Sequence, residues 1–161
     1  MLVQDSMRGG LHGDDEAQGI ARLPTFPQQQ AAHLCHLVLM QILPGLIERD
    51  FTPFARGLTE VQRMVGEYFA PAQGGVYTSP AIARLMQWIS MRHEAAVGQS
   101  SWGPTAFAIL PSLQEAQRVV ESVEAAGVKE AGLDITIVAG RNRGADIVRG
   151  TRAGDLPEVD L

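Results

Sequence analysis

At His93 the pattern of this chain changes from helical to extended, and that switch constrains the fold more than any other feature. Before it, apolar residues recur at three- and four-residue steps. Thr25-Phe26-Pro27-Gln28 offers a helix start with Thr25 as cap, and Ala31, Leu34, Cys35, Val38, Leu39 and Ile42 mark one face of that helix. Leu37, Met40, Leu43, Leu46 and Ile47 widen that face almost all round, which predicts central burial, and Pro44 is expected to kink or end the helix. Asp50 can cap a second helix from Phe51 to Phe69, with Phe54, Leu58, Val61, Val65 and Tyr68 inward and Pro71 as its stop. The run Pro71-Ala72-Gln73-Gly74-Gly75-Val76 reads as a loop. Ser79-Pro80 starts a third helix that sends Ile82, Leu85, Met86 and Ile89 into the core.

Beyond His93, Ala95 to Val97 and Thr105 to Leu110 read as strands around a loop. Ser112 to Glu115 is a capping box for a helix from Leu113 to Ala126, closed by Gly127, and Leu133 to Ala139 is a last strand. Three helices followed by β, β, α, β predict an α+β fold with helices on a mostly antiparallel sheet. Residues 1–23, with four glycines and the acidic run Asp14-Asp15-Glu16, show no sustained period and are expected to be irregular. The expected organisation is an irregular segment at 1–23, one domain at 24–150 and an acidic tail at 151–161.

Size and charge narrow the function classes. A chain of 161 residues with mean hydropathy +0.00 fits a single compact domain. Gln41 and Pro44 interrupt the longest apolar run, so no membrane span is expected. The first residues lack the basic and apolar regions of a secretory signal, and the single cysteine, Cys35, fits a reducing cytoplasm. Net charge is -5, and residues 28–150 hold ten basic and eleven acidic side chains, so nucleic acid is not an expected partner.

The segment Gly98-Gln99-Ser100-Ser101-Trp102-Gly103-Pro104 is the most informative for chemistry. Small residues with exposed amides and hydroxyls between two strands can form a concavity for phosphate or carboxylate, with Trp102 as an aromatic wall. The alternative is a hairpin loop whose glycines only permit positive φ. Arg141, Arg143 and Arg149 could hold an anion, or form a solvated turn. His33 and His36 lie three apart beside Cys35, but nothing nearby completes a metal-ligand set, so no metal site is assigned. His93 reads as a favourable charge at a helix C-terminus, the acidic run as solvated, and Met40, Met64, Met86 and Met91 as core filler.

Taken together, these segments resemble a known family. Val97 to Ala108 is similar to the third conserved motif of the GHMP small-molecule kinase superfamily, in the Ser-Ser-Trp form of the beta-ribofuranosylaminobenzene 5'-phosphate synthases. Ala31 to Cys35, Leu39 to Gln41, Phe69 to Gly75 and Gly140 to Ala145 match further segments in the family's order. The resemblance implies a GHMP C-terminal domain, a relative of the ferredoxin-like fold. It implies a transferase of tetrahydromethanopterin biosynthesis that joins phosphoribosyl pyrophosphate to a 4-substituted benzoate, with loss of carbon dioxide and pyrophosphate. Gly98, Gln99, Ser100, Ser101, Trp102 and Gly103, with Gln73, Gly74, Arg141 and Asn142, are the substrate-binding residues it suggests; it assigns no catalytic residue.

The superfamily's main phosphate loop is not found in this chain, so the expectation is a C-terminal half whose site is incomplete alone. It would hold no cofactor of its own, with magnesium belonging to the complete enzyme. Its expected partner is the N-terminal half or a second copy in a homodimer. The other readings are a non-catalytic small-molecule-binding or interaction module on the same fold, and a fragment of a small-molecule kinase, whose motif would be richer in glycine.

Overall fold

A computed structural model describes residues 1–145. Four short strands, β1 (Leu2–Asp5), β2 (Ala96–Gln99), β3 (Thr105–Ile109) and β4 (Leu133–Thr136), form one antiparallel sheet in the order β2-β3-β1-β4. The α+β expectation therefore holds. Arg149 and the acidic tail lie outside the described residues.

The N-terminal segment is not irregular: it supplies β1, and then helix α1 (Gly13–Ala21). A four-residue strand is too short to announce itself by alternation, and its pairing partners lie about a hundred residues away. Val3 stands opposite Ala106 on β3 and Ile135 on β4, and is completely buried. Strands whose alternate residues face one layer need an apolar cover on that face. Here α5 (Pro80–Arg92) and α6 (Leu113–Ala126) provide it, with Ile82, Leu85, Met86, Ile89, Val119 and Val123 packed on Val3, Val97, Ala106, Ala108 and Leu133. Both helices begin and end largely where the sequence placed them. Ser79 accepts from the Ile82 amide, Ser112 accepts from the Glu115 amide, and Gly127 closes α6 in the left-handed region at φ 63°. The Glu115 carboxylate bonds Arg118 rather than completing the box.

One buried polar contact locks β1 to α5. The Ser79 hydroxyl donates to Asp5 Oδ2 at 2.6 Å, and Asp5 Oδ1 accepts from the Met7 amide at 2.9 Å. Both side chains are buried. Ser79→Ala removes a cap and a partner of a buried carboxylate, and should cost about 1–2 kcal/mol. Thermal unfolding of the variant checks this; an unchanged Tm would show that Asp5 finds another partner.

The helices before His93 depart most from expectation. Helix α2 (Gln28–Leu37) is preceded by Pro27 and has no side-chain cap, so Thr25 does not start it. The rod then continues through a π-helical segment (Val38–Ile42) into α3 (Leu43–Glu48), with Pro44 in the first turn of α3. A proline has no N–H to donate and crowds the preceding turn, and widening that turn keeps the helix going. By length and composition alone the continuous rod Gln28–Glu48 could cross a membrane, which corrects the expectation that Gln41 and Pro44 leave no such helix. Its central burial is corrected too. Only Leu37 and Gly45 are buried, whereas Leu39 is 61% exposed and Ile47 is 79% exposed. Met40 and Met91 are likewise exposed rather than core filler, while Met64 and Met86 are buried.

Helix α4 (Phe51–Gln73) lies between this rod and the sheet. Asp50 caps it through the Thr52 amide, and it passes Pro71 by two residues before Gly74 ends it at φ 89°. Being contacted on two sides, it buries small residues, Ala55, Gly57 and Gly66, together with Met64; Phe54, Leu58, Val61, Val65 and Tyr68 are only half-buried. On the sheet side it protects the edge of β2. Thr59 Oγ1 accepts from the Val97 amide at 3.1 Å, and Gln62 Oε1 accepts from the Gln99 amide at 3.1 Å. Those outward amides would otherwise be an open pairing edge.

Candidate functional site

Where the second half of α4 meets the β2–β3 loop, a pocket of about 220 Å³ opens. Its wall on α4 is Gln62, Val65, Gly66, Phe69 and Gln73; Val76, Tyr77, Gly98, Gln99, Ser101 and Trp102 complete it. Gly66 is required for this geometry, because a Cβ there would lie 2.7 Å from the Val76 carbonyl oxygen.

Amide side chains hold the pocket's frame. Gln73 Nε2 donates to the Gly75 and Val76 carbonyls at 2.8 and 3.0 Å, fastening the end of α4 to the adjoining loop. Gln99 Nε2 donates to Gln73 Oε1 at 3.1 Å, and Gln99 Oε1 accepts from the Thr78 amide at 2.7 Å. The Thr78 hydroxyl donates to the Trp102 carbonyl at 2.8 Å. Two segments distant in sequence, residues 73–78 and 99–102, are thus tied into one mouth.

The Trp102 side chain is a structural wall. It is 7% exposed, meets Phe69 edge-on at 4.9 Å between ring centres, and donates from Nε1 to Glu16 Oε1 at 2.8 Å. Glu16 therefore is not a merely solvated acid, and α1 is tied to the motif loop. Gly10 packs so closely on the Trp102 and Gly103 carbonyls that no side chain fits there.

Of the residues singled out from sequence, Gln73, Gly98, Gln99, Ser101 and Trp102 line the pocket together. Ser100 and Gly103 close the loop on itself: Ser100 N donates to the Thr105 carbonyl, and Gly103 N to the Ser100 carbonyl, both at 2.9 Å. With the Gln99 amide given to Gln62, three loop amides are committed, and those of Ser101 and Trp102 make none of these bonds. Ser101 sits in the left-handed region at φ 48°, which costs a non-glycine residue about 1–2 kcal/mol. Such strain concentrates at sites that use it. Gly74 caps α4 beside the pocket without lining it. Arg141 and Asn142 are exposed beyond β4, the sheet edge opposite β2, and do not line it either.

Sequence reading missed Gln62, Phe69 and Tyr77 as pocket residues. Gln62 carried a usable signal, a polar residue at the helix position one turn from Val65 and Gly66. Burial pushes the Tyr77 phenol up to about 12, so it is neutral at physiological pH. Among the described residues the His33 and His36 rings stack 6.4 Å apart, and no group of three or more His, Cys, Asp or Glu side chains converges. His93 ends α5 with its ring near Trp88 and a buried, unpartnered Nε2.

A family model described as GHMP kinases C terminal matches residues 42–129, from the π segment past the end of α6. The chain belongs to this family. Two curated relatives extend the likeness of this GHMP C-terminal domain. The beta-ribofuranosylphenol 5'-phosphate synthase of Archaeoglobus fulgidus is 26% identical over 105 residues, covering 64% of this chain and 30% of that protein. The synthase of the same name from Methanothermobacter thermautotrophicus is 26% identical over 123 residues, covering 76% of this chain and 35% of that protein. The domain spans about a third of the length of the curated relatives it matches.

Proposed function

We propose that this domain provides the arene-binding wall of a synthase that joins phosphoribosyl pyrophosphate to a 4-substituted benzoate. The observation that carries this reading is the pocket's chemistry: three aromatic rings and three glutamine amides, with no cationic side chain in the lining among the described residues. A benzoate ring placed in the pocket would lie against the aromatic wall formed by Phe69, Tyr77 and Trp102, through edge and face contacts. Tyr77 Oη, Gln62 Nε2 and Ser101 Oγ are the neutral polar groups left to orient its substituents. In the reaction, a ring carbon bonds to the sugar C1 as pyrophosphate departs. The bond from that carbon to its carboxylate then breaks, carbon dioxide leaves, and the electron pair restores the ring. A weakly polar pocket disfavours the carboxylate on the ring and favours the decarboxylated, uncharged ring of the product.

The sugar phosphates need charge neutralisation that this pocket does not supply. The described residues around it do not fit magnesium, since Glu16 is engaged by the indole and none of the lining side chains among them is a carboxylate. No step is therefore routed through a metal here. The phosphate end of the site belongs to polypeptide outside this domain, and a cytoplasmic setting agrees with the single, exposed Cys35.

Titration calorimetry of the domain with 4-hydroxybenzoate and 4-aminobenzoate separates the readings. The relatives' name puts a phenol on their product, which makes the hydroxy acid the first choice. Expected are binding of a benzoate without phosphoribosyl pyrophosphate, and roughly tenfold weakening by Gln62→Ala. Binding of phosphoribosyl pyrophosphate with no benzoate binding would overturn the assignment. The second reading, a binding module without chemistry, is favoured by the three committed loop amides. It would be established if the domain, combined with the remaining portion of a relative, released no carbon dioxide while still binding the benzoate.

A further inference from the structure

The outer face of the α2–α3 rod presents Leu39, Met40, Leu43, Leu46 and Ile47, all exposed. Its inner face is accounted for: Ile42 and Gln41 approach Gly57, and Gly45 approaches Phe54, so the rod is docked on α4. The outer residues have a symmetry of their own. Met40 and Leu46 lie three residues either side of Leu43, and Leu39 and Ile47 four either side. Beyond them, His33 and His36 are at one end, and Glu48, Arg49 and Asp50, with net negative charge, at the other.

We infer that this face is the interface of a two-fold homodimer, in which the rods of two copies pair antiparallel with Leu43 at the axis. In that arrangement Leu39 of one copy meets Ile47 of the other, Met40 meets Leu46, and the histidine end of each rod faces the acidic end of its partner. An isologous contact requires one patch to complement itself, and this sequence order does so. Five large apolar side chains within about 12 Å of helix are more than a monomer ordinarily leaves in one stripe.

Two other occupants fit less well. Helices that lie on membranes carry lysine or arginine on their flanking polar face, and the rod Gln28–Glu48 has neither. Polypeptide that completes the ligand site must approach the pocket, which α4 separates from this face. Pairing through the rods therefore leaves both pockets open, and the dimer stands independently of the proposed reaction.

Light scattering of the full chain should give twice the 17.3 kDa chain mass. Leu43→Glu places two like charges together at the axis and should weaken the dimer by about 100-fold or more, giving a monomer with unchanged helical circular dichroism. Leu113→Glu, at an exposed apolar position on α6, should leave the dimer intact. In a Cys35→Ser background, Leu43→Cys should form an oxidised crosslink, and Leu113→Cys should not. A monomer at high concentration, a dimer indifferent to Leu43→Glu, or a monomer that binds anionic lipid vesicles would each overturn the inference.

Discussion

Trp102→Ala is expected to lower stability by about 3–5 kcal/mol and to abolish benzoate binding. The indole fills the junction of α1, α4 and the β2–β3 loop, with Phe69 on one side and Glu16 on its nitrogen. Truncation leaves a cavity, loses the edge contact, and frees the carboxylate that holds α1. For a domain of this size the Tm should fall by roughly 10 °C. Trp102→Phe separates the two effects, because it keeps much of the apolar volume and loses only the N–H bond; a drop of about 1 kcal/mol is expected. Circular dichroism melts and calorimetry on both variants check this. If Trp102→Ala kept the wild-type Tm and lost only ligand affinity, the indole would be a stacking platform and not a wall.

The second large effect is at Gly66. A valine there brings a branched side chain into the Val76 carbonyl, where a Cβ alone would already stand at 2.7 Å. Backbone cannot rotate away as a flexible side chain can, so α4 must separate from the 74–78 loop. The expected cost is about 3 kcal/mol, with loss of the Gln73 bonds to Gly75 and Val76. Benzoate affinity should fall more in this variant than in Gln62→Ala, because the pocket wall itself moves. Equal affinity in Gly66→Val and the wild type would show that the ligand binds elsewhere.

These two residues differ in how far sequence alone reveals them. Trp102 is legible as part of a motif, because Ser-Ser-Trp between two strands is a specific arrangement, but its role is not. Whether an indole stacks on a ligand or seals a junction depends on Phe69, 33 positions earlier, and Glu16, 86 positions earlier. Gly66 gives no signal, since a glycine inside a helix reads only as a weak helix former. Signals with a local cause survive well. Ser79-Pro80, Asp50, Ser112 and Gly127 each work through groups within three or four residues, and each holds its helix end.

The rod shows the opposite case. Its all-round apolar sequence predicts central burial, yet its outer face is exposed, because hydrophobicity states that a surface needs cover and not which element supplies it. The switch from helix to strand at His93, most helix ends and the motif loop are written in the order of residues, since they follow from period and capping over a few positions. Folding in three dimensions had to settle that Leu2–Asp5 is an inner strand of the sheet, that α4 shields the edge of β2, and that three glutamines meet around one pocket. Those contacts join residues far apart along the chain. Their free energy arises only once the intervening loops have closed, so no local pattern encodes them.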